Sequence, residues 1–266
     1  MKKVLVMRAN NLRHLALSAF LSKHGYLSAE IIESKMAPLS SSFPSNLLDA
    51  HLTAREQSEI DFFSFASDTE ICVPRLEILS GELNSAQTFQ FLDLVDFDLV
   101  ITFGVSILSP QLINHVGRKI LGIHLGLSPY YRGSGTNFFP FVNSEVAAVG
   151  YTLMHLDEGI DTGPIIHQGR APVILGDSIH SIGNRNIQYM FSDIARFLEF
   201  KIDWEFSNQK SHLPSKLYKR KDFTLESLKL AYKNIDSGLI ARHIENQNSD
   251  LELFPIIEYT RIKYSR

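Results

Sequence analysis

The sequence predicts an α/β fold: a doubly wound, mostly parallel sheet with a small C-terminal appendage. Three observations lead there. Short, nearly continuous apolar runs recur through the first half of the chain, as buried parallel strands require. Segments with apolar residues at helical spacing stand between them. The composition, 44% hydrophobic and 21% charged over 266 residues, suits a soluble globular protein that buries a sizeable core.

The elements follow in order. Residues 3–7 form the first apolar run and read as a buried strand. Leu12, Leu15, Leu17, Phe20 and Leu21 follow at helical spacing, and Gly25 closes that segment. Residues 29–32 read as a second strand and 35–46, rich in Ser and Pro, as a loop. Residues 54–65 look helical, 71–79 alternate as a strand, and 84–94 read as a helix. Residues 98–104 carry the strongest strand signal in the chain. A short helix over 110–115 and a strand over 119–124 continue the alternation. Beyond Gly176, Ile179, Ile182, Ile187, Met190, Ile194 and Phe197 make an apolar stripe at helical spacing, with Ser178 placed to cap it. From Lys201 onward short apolar runs mix with polar loops.

Composition excludes several classes. A net charge of -3 argues against a protein that grips nucleic acid through its phosphates. The one basic cluster, Lys216, Lys219, Arg220 and Lys221, reads as a solvated surface patch. Cys72 is the only cysteine, so neither an internal disulfide nor a cysteine zinc site is expected. The first apolar run stops at Arg8, short of a signal-peptide core, and no stretch reaches membrane-spanning length. The cytoplasm is the expected compartment. After the first strand stands Met7-Arg8-Ala9-Asn10 rather than G-x-G-x-x-G, so a dinucleotide site is not expected.

Ligands of doubly wound sheets bind beyond the carboxyl ends of the strands, and His124 sits at such an end. The stretch around it reads Leu121-Gly122-Ile123-His124-Leu125-Gly126-Leu127-Ser128-Pro129-Tyr130-Tyr131-Arg132-Gly133. It continues through Asn137 and Asn143-Ser144-Glu145 to Gly150, then His155-Leu156-Asp157-Glu158-Gly159-Ile160-Asp161-Thr162-Gly163. This resembles the formyltransferases that use 10-formyltetrahydrofolate, a family that acts on methionyl-tRNA, glycinamide ribonucleotide or sugar nucleotides. Their pattern is N-x-H, then S-L-L-P-x-Y-R-G, then a loop ending D-x-G. The resemblance implies a catalytic domain over residues 1–176 and a C-terminal helix with a small α+β extension over 177–266. It also implies 10-formyltetrahydrofolate as co-substrate, with no metal.

Formyl transfer to an amine passes through a tetrahedral oxyanion, which needs a donor, and the amine must lose a proton. The resemblance gives these tasks to His124 and Asp161, 37 positions apart. A histidine at a strand end is more often structural, and an Asp before Thr-Gly is often a turn former. The flanking motif decides for catalysis in both. On the folate side the matching positions are Phe103, Gly104, Ser106, Ile107 and Leu108, with Gly122, Leu156, Asp157, Glu158, Gly159 and Ile160. Asn10 and Arg13, in a polar group with Arg8, Asn11 and His14, are expected to contact a polar or phosphorylated acceptor. Arg132 is expected to shape the substrate mouth. Ser128-Pro129 reads as a rigid turn, with a cis bond open to it.

One departure stands out: the family's Asn before the catalytic His is Gly122 here. Losing an oxyanion donor typically costs on the order of 10²–10³ in rate. Asn137 is a candidate replacement, or else caps the helix after it. Gly122 leaves two other readings open, a hydrolase that passes the formyl group to water and a non-catalytic folate- or nucleotide-binding protein. The acceptor is expected to be a small-molecule amine. Residues 217–224 resemble a feature of family members with sugar acceptors and point to an amino-sugar nucleotide. No nucleic-acid or membrane partner is expected, and a homodimer is compatible with the resemblance.

Overall fold

A computed structural model describes residues 2–34, 45–117, 119–199 and 207–258. The expected loop over 35–46 lies almost wholly outside them. β1 (Val4–Ala9) is buried along its whole length, so its alternate side chains must serve two cores. Val4 and Val6 face one core with α1 (Leu12–Lys23), while Leu5 and Met7 face the opposite one. A strand covered on both faces is the signature of a doubly wound sheet.

The sheet has 7 strands in the order β3-β2-β1-β4-β5-β7-β8. β2 (Leu27–Ser34), β3 (Arg75–Leu79), β4 (Leu99–Phe103) and β5 (Ile120–His124) continue it in parallel. β7 (Tyr151–Met154) and β8 (Ile165–Gly169) close one side antiparallel. The order reverses beside β1, so the carboxyl ends of β1, β4 and β5 frame the switch point. There Asn10, Gly104 and the 124–137 loop leave the sheet.

The helices expected over 84–94 and 110–115 form as α3 (Ala86–Leu94) and α4 (Pro110–Val116), and both pack in the core of Leu5 and Met7. α2 (Asn46–Phe63) begins two turns before the expected start at 54. Ser45 accepts from the Leu48 amide and starts the helix within a polar stretch. β3 begins at Arg75, four residues later than expected, because Ile71 and Val73 pack on the core as irregular chain.

The apolar stripe beyond Gly176 forms α6 (Ile179–Glu199), with the Ser178 hydroxyl accepting from the Ser181 amide at 3.0 Å. Its Ile187, Met190, Ile194 and Phe197 lie in the same core as Val4, Ile101 and Leu153. Its Ile179 and Ile182 lie in a second, aromatic core, with Leu228 and Leu239 of the chain that follows, so the helix bridges the two. That second core, with Tyr130, Tyr131, Phe138, Phe139 and Phe141, is covered by α7 (Leu225–Asp236) and α8 (Leu239–Glu245). β6 (Tyr131–Gly133) pairs in parallel with β9 (Lys216–Tyr218), which fastens the C-terminal segment to the motif loop.

Lys216 is therefore no member of a solvated patch. It pairs with Glu145, which also accepts from the Tyr131 hydroxyl.

Candidate functional site

His124 is the last residue of β5 and is buried. Its Nδ1 stands 3.3 Å from Asp161 Oδ2, and its Nε2 stands 2.9 Å from the Tyr131 carbonyl oxygen. A carbonyl only accepts, so the Nε2 proton points at Tyr131. The Nδ1–carboxylate contact is the ring's other polar contact. At 3.3 Å it is longer than a charge-assisted hydrogen bond of about 2.7–2.9 Å. The pair is in contact but not locked.

Asp161 is held by its surroundings. Its Oδ2 accepts the Gly133 amide at 2.7 Å. Its backbone is left-handed, with φ 52°, a strained region for a non-glycine residue. Gln209 offsets that strain by donating to the carbonyls of Asp161 and Gly163, each at 2.8 Å. Across the loop, Arg132 donates to Ser215 at 2.9 Å, and the Lys216 amide donates to the Tyr130 carbonyl at 2.9 Å. The segment after the sheet domain therefore braces both halves of the pair. No local pattern announces Gln209 or Ser215; their role is purely tertiary.

At two glycines neighbouring side chains approach the backbone closely. A Cβ on Gly126 would meet His124 Nε2 at 2.6 Å and Thr136 Cβ at 2.7 Å. A Cβ on Gly122 would collide with Leu156 Cδ2 and meet Leu156 Cγ at 3.1 Å. The space beside Gly122 is thus filled by Leu156, an apolar side chain with no donor. Asn137 does not cap the following helix α5 (Phe139–Val142). Its Oδ1 accepts the Gly150 amide at 3.3 Å, while its Nδ2 is buried without a hydrogen-bond partner.

The loop after β4 is organised from beneath. Glu33, buried at the end of β2, accepts from the Ser106 amide and hydroxyl at 2.6 Å each and from the Gly81 amide at 2.8 Å. Asn84 donates to the Ile107 carbonyl at 3.0 Å and accepts the Ser109 amide at 2.7 Å. Gly104 is left-handed, φ 71°, and lies over the buried His14 ring, which packs edge-on against Phe103 at 4.4 Å. Leu108 is buried and Ile107 is 68% exposed. Val105 and Leu156 pack on the same core cluster, so the loop after β4 and the loop before Asp161 are neighbours. In the second loop Asp157 accepts from the Gly159 amide at 3.0 Å and the Thr162 hydroxyl at 2.8 Å, leaving Glu158 and Ile160 exposed. Glu33 and Asn84 escape sequence reasoning, since each acts across 70-odd or 20-odd residues of chain (|i−j| of 73 and 25).

Of the polar group after β1, Arg8 is buried and spent on Glu30 at 2.8 Å. His14 lies beneath Gly104. Arg13 reaches Glu59 at 3.4 Å, and Asn10 is exposed. A cavity of about 470 Å³ opens beside the motif loop, with Ser128, Pro129, Tyr130, Gln168 and Lys210 in its wall; neither His124 nor Asp161 lines it. The Ser128–Pro129 bond is cis. Among the described residues no group of three His, Cys, Asp or Glu could hold a metal, and no helix is long and apolar enough to cross a membrane.

The fold and the site define an α/β protein with a histidine–carboxylate pair at the switch-point edge of a doubly wound sheet. Residues 51–189, just over half of the chain, match the family described as formyl transferase, and the chain belongs to that family. A Synechocystis methionyl-tRNA formyltransferase is 33% identical over 90 residues, covering 34% of this chain and 27% of that protein. The Escherichia coli phosphoribosylglycinamide formyltransferase is 31% identical over 107 residues, covering 40% of this chain and 50% of that one. The matched stretch spans no more than half of either relative. An N-formyltransferase from Helicobacter canadensis, solved in complex with folinic acid and dTDP-3-aminofucose, shares the fold. Its TM-score is 0.52 at 18% identity, covering 88% of this chain and 80% of that one.

Proposed function

We propose that this protein transfers the formyl group of 10-formyltetrahydrofolate to the amine of a small acceptor. The observation that carries the proposal is the His124–Asp161 contact at 3.3 Å on the switch-point edge, inside the family motif. The two loops beside it suit a flat ring system. Ser106, Ile107, Leu156 and the backbone over 157–160 offer apolar surface and backbone groups on neighbouring loops. When bound, the folate supplies the formyl group.

The chain's own residues do the rest. His124 carries its Nε2 proton to the edge of the site, where the Tyr131 carbonyl holds it until a better acceptor arrives. Asp161, fixed by Gly133 and Gln209, takes up the proton that the acceptor amine releases, directly or through the imidazole. Leu156 keeps water and polar groups out of the slot beside Gly122. The donor missing there is supplied by Asn137, whose buried Nδ2 has no other partner.

The acceptor is a small amine, an amino-sugar nucleotide by preference. The Helicobacter canadensis protein solved with such a sugar nucleotide shares the fold over most of this chain. A net charge of -3 disfavours a tRNA acceptor. The test is to incubate the protein with 10-formyltetrahydrofolate and follow tetrahydrofolate, with and without a panel of amino-sugar nucleotides. Turnover that needs the amine and disappears in His124→Ala is expected. Equal turnover with water alone makes the protein a hydrolase. Binding without turnover makes it a folate-binding protein.

A further inference from the structure

Two short pieces of the C-terminal chain add to the outer edge of β8, and the cavity of about 470 Å³ opens where they do so. Ser207 and Ile165 exchange two backbone hydrogen bonds, each at 2.8 Å. The Gln168 amide donates to the Ile257 carbonyl at 2.6 Å, and the Gln168 side-chain oxygen accepts the Ile257 amide at 3.1 Å. All four residues line the cavity. Its volume falls in the range of about 300–1,000 Å³ in which proteins hold small organic ligands.

The wall has two characters. Pro129, Tyr130, Ile165, Ile256 and Ile257 give it apolar surface. Among the described residues of the wall, Lys210 is the one side chain of formal charge, and no carboxylate lines it. A second cation, Arg170, stands near Tyr130. It donates to the Phe254 carbonyl, next to Pro255 of the wall, and its Nε is buried without a hydrogen-bond partner. Burial lowers Arg170 to about 10, so it stays charged at neutral pH, and Glu258 offsets part of that charge. Ser128 is fully buried in the same wall, its hydroxyl also without a hydrogen-bond partner. Such atoms are rare in folded proteins, and each calls for a reason. A ligand with one negative group and an apolar body answers these features together. Its oxygens meet Lys210 and the Ser128 hydroxyl, and its carbons cover the isoleucines and Pro129. One lysine with no acid beside it matches a single negative charge, and a carboxylate is the single charge that carries such a body.

The wall is shared with the reaction centre. Gln209, between Asn208 and Lys210 of the wall, donates to the carbonyls of Asp161 and Gly163. Tyr131, next to Tyr130 of the wall, offers the carbonyl that His124 Nε2 meets. A ligand that steadies the two wall segments steadies both supports of the pair.

We infer that this cavity binds a small amphipathic monocarboxylate, and that its occupancy is coupled through Gln209 to the turn that carries Asp161. Neither part rests on the formyl-transfer proposal, and no readout below uses turnover.

The test is a saturation-transfer NMR titration of the full chain with hexanoate, hexanol, hexylamine and acetate. Hexanoate is expected to bind at about 1 mM or tighter, the range open to a ligand of that size. The other three should bind about fivefold more weakly or worse, the loss of one partly exposed ion pair or of the apolar body. Lys210→Glu should weaken hexanoate by about fivefold to tenfold and bring hexylamine above it. The thermal midpoint should stay, since Lys210 is exposed. Ser128→Ala should weaken hexanoate by about twofold to tenfold, yet hold or raise the midpoint of the free protein, because it removes a buried hydroxyl that has no partner. A purely structural Ser128 would lower that midpoint instead. Gln209→Ala should weaken hexanoate by about twofold or more at an unchanged midpoint, because coupling between two places is reciprocal. Hexanol bound as tightly as hexanoate, or hexanoate affinity indifferent to both Lys210→Glu and Ser128→Ala, overturns the site. So does the absence of hexanoate binding at about 10 mM. Hexanoate affinity unchanged in Gln209→Ala overturns the coupling.

Discussion

Among the described residues four histidine–aspartate pairs form, and two of them, both beside the central sheet, are built to opposite ends. His167 and Asp193 meet at 2.9 Å with both side chains essentially sealed from solvent. Asp193 also accepts from the Tyr151 hydroxyl and from Arg196, the latter at 3.3 Å. Every charge there has a partner on β7, β8 or α6, so the pair ties the long helix to the sheet. His124 and Asp161 meet at 3.3 Å, with the carboxylate side chain 23% exposed and its backbone held in a left-handed conformation. The buried pair has nothing left to offer a substrate. The edge pair is looser, strained and braced from outside, and its carboxylate is partly open to solvent. Residue type alone does not separate the two; position and saturation do.

The comparison breaks most sharply at the carboxylates. Asp161→Asn should lower turnover by about 10²–10⁴, the usual range for losing a general base. The asparagine oxygen still accepts the Gly133 amide, so the thermal midpoint should hardly move. Asp193→Asn should do the reverse. Breaking a buried pair costs about 3–5 kcal/mol, which should appear as a lower denaturation midpoint with normal turnover per folded molecule.

Bracing gives the next effect. Gln209→Ala removes both donors to the Asp161 turn. A misplacement of about 1 Å can cost 10²-fold, so a loss of kcat between about tenfold and a hundredfold is expected, with little change in stability. No loss would mean that the left-handed turn holds itself.

Glu33→Gln loosens the loop after β4 rather than the pair. A rise of about fivefold to tenfold in KM for the folate substrate is expected, the size of one lost net hydrogen bond, with kcat retained. Steady-state kinetics separate these two constants.

The smallest effect is on stability against pH. His51 and His180 stay neutral in the fold down to about 4 and about 3, whereas in the unfolded chain they protonate near 6.5. Between those values the unfolded chain binds more protons, so stability falls as pH drops from about 6.5 toward 4. Scanning calorimetry should show this decline, and it should be shallower in His180→Asn. A stability curve independent of pH in that window would contradict it.

Much of this was legible in the sequence. The apolar runs at Val4–Ala9 and Leu99–Phe103 are buried on both faces, and burial on both faces is what writes a continuous apolar run. The motif around His124 and Asp161 carries its own spacing, and the structure brings the two side chains into contact. Tyr151–Met154 and Ile165–Gly169 were not read as strands. Each is only 4 or 5 residues long and mixes polar Thr152, His167 and Gln168 into the core, where hydrogen bonds satisfy them. Leu156 was expected on the folate side, but nothing local says that it fills the slot of a missing Asn. Lys216 looked like a surface charge because its partner Glu145 lies 71 positions away. What stayed hidden was tertiary: partners chosen by the fold rather than by spacing.

The most direct measurement takes the two histidines side by side. Tetrahydrofolate release from 10-formyltetrahydrofolate is followed for His124→Ala and His167→Ala with the best amine acceptor present, normalised to folded protein. Loss of turnover by about 10²–10⁴ in His124→Ala, with turnover per folded molecule kept in His167→Ala, is the expected result. Full turnover in a folded His124→Ala protein would contradict the assignment of the reacting centre to the edge pair.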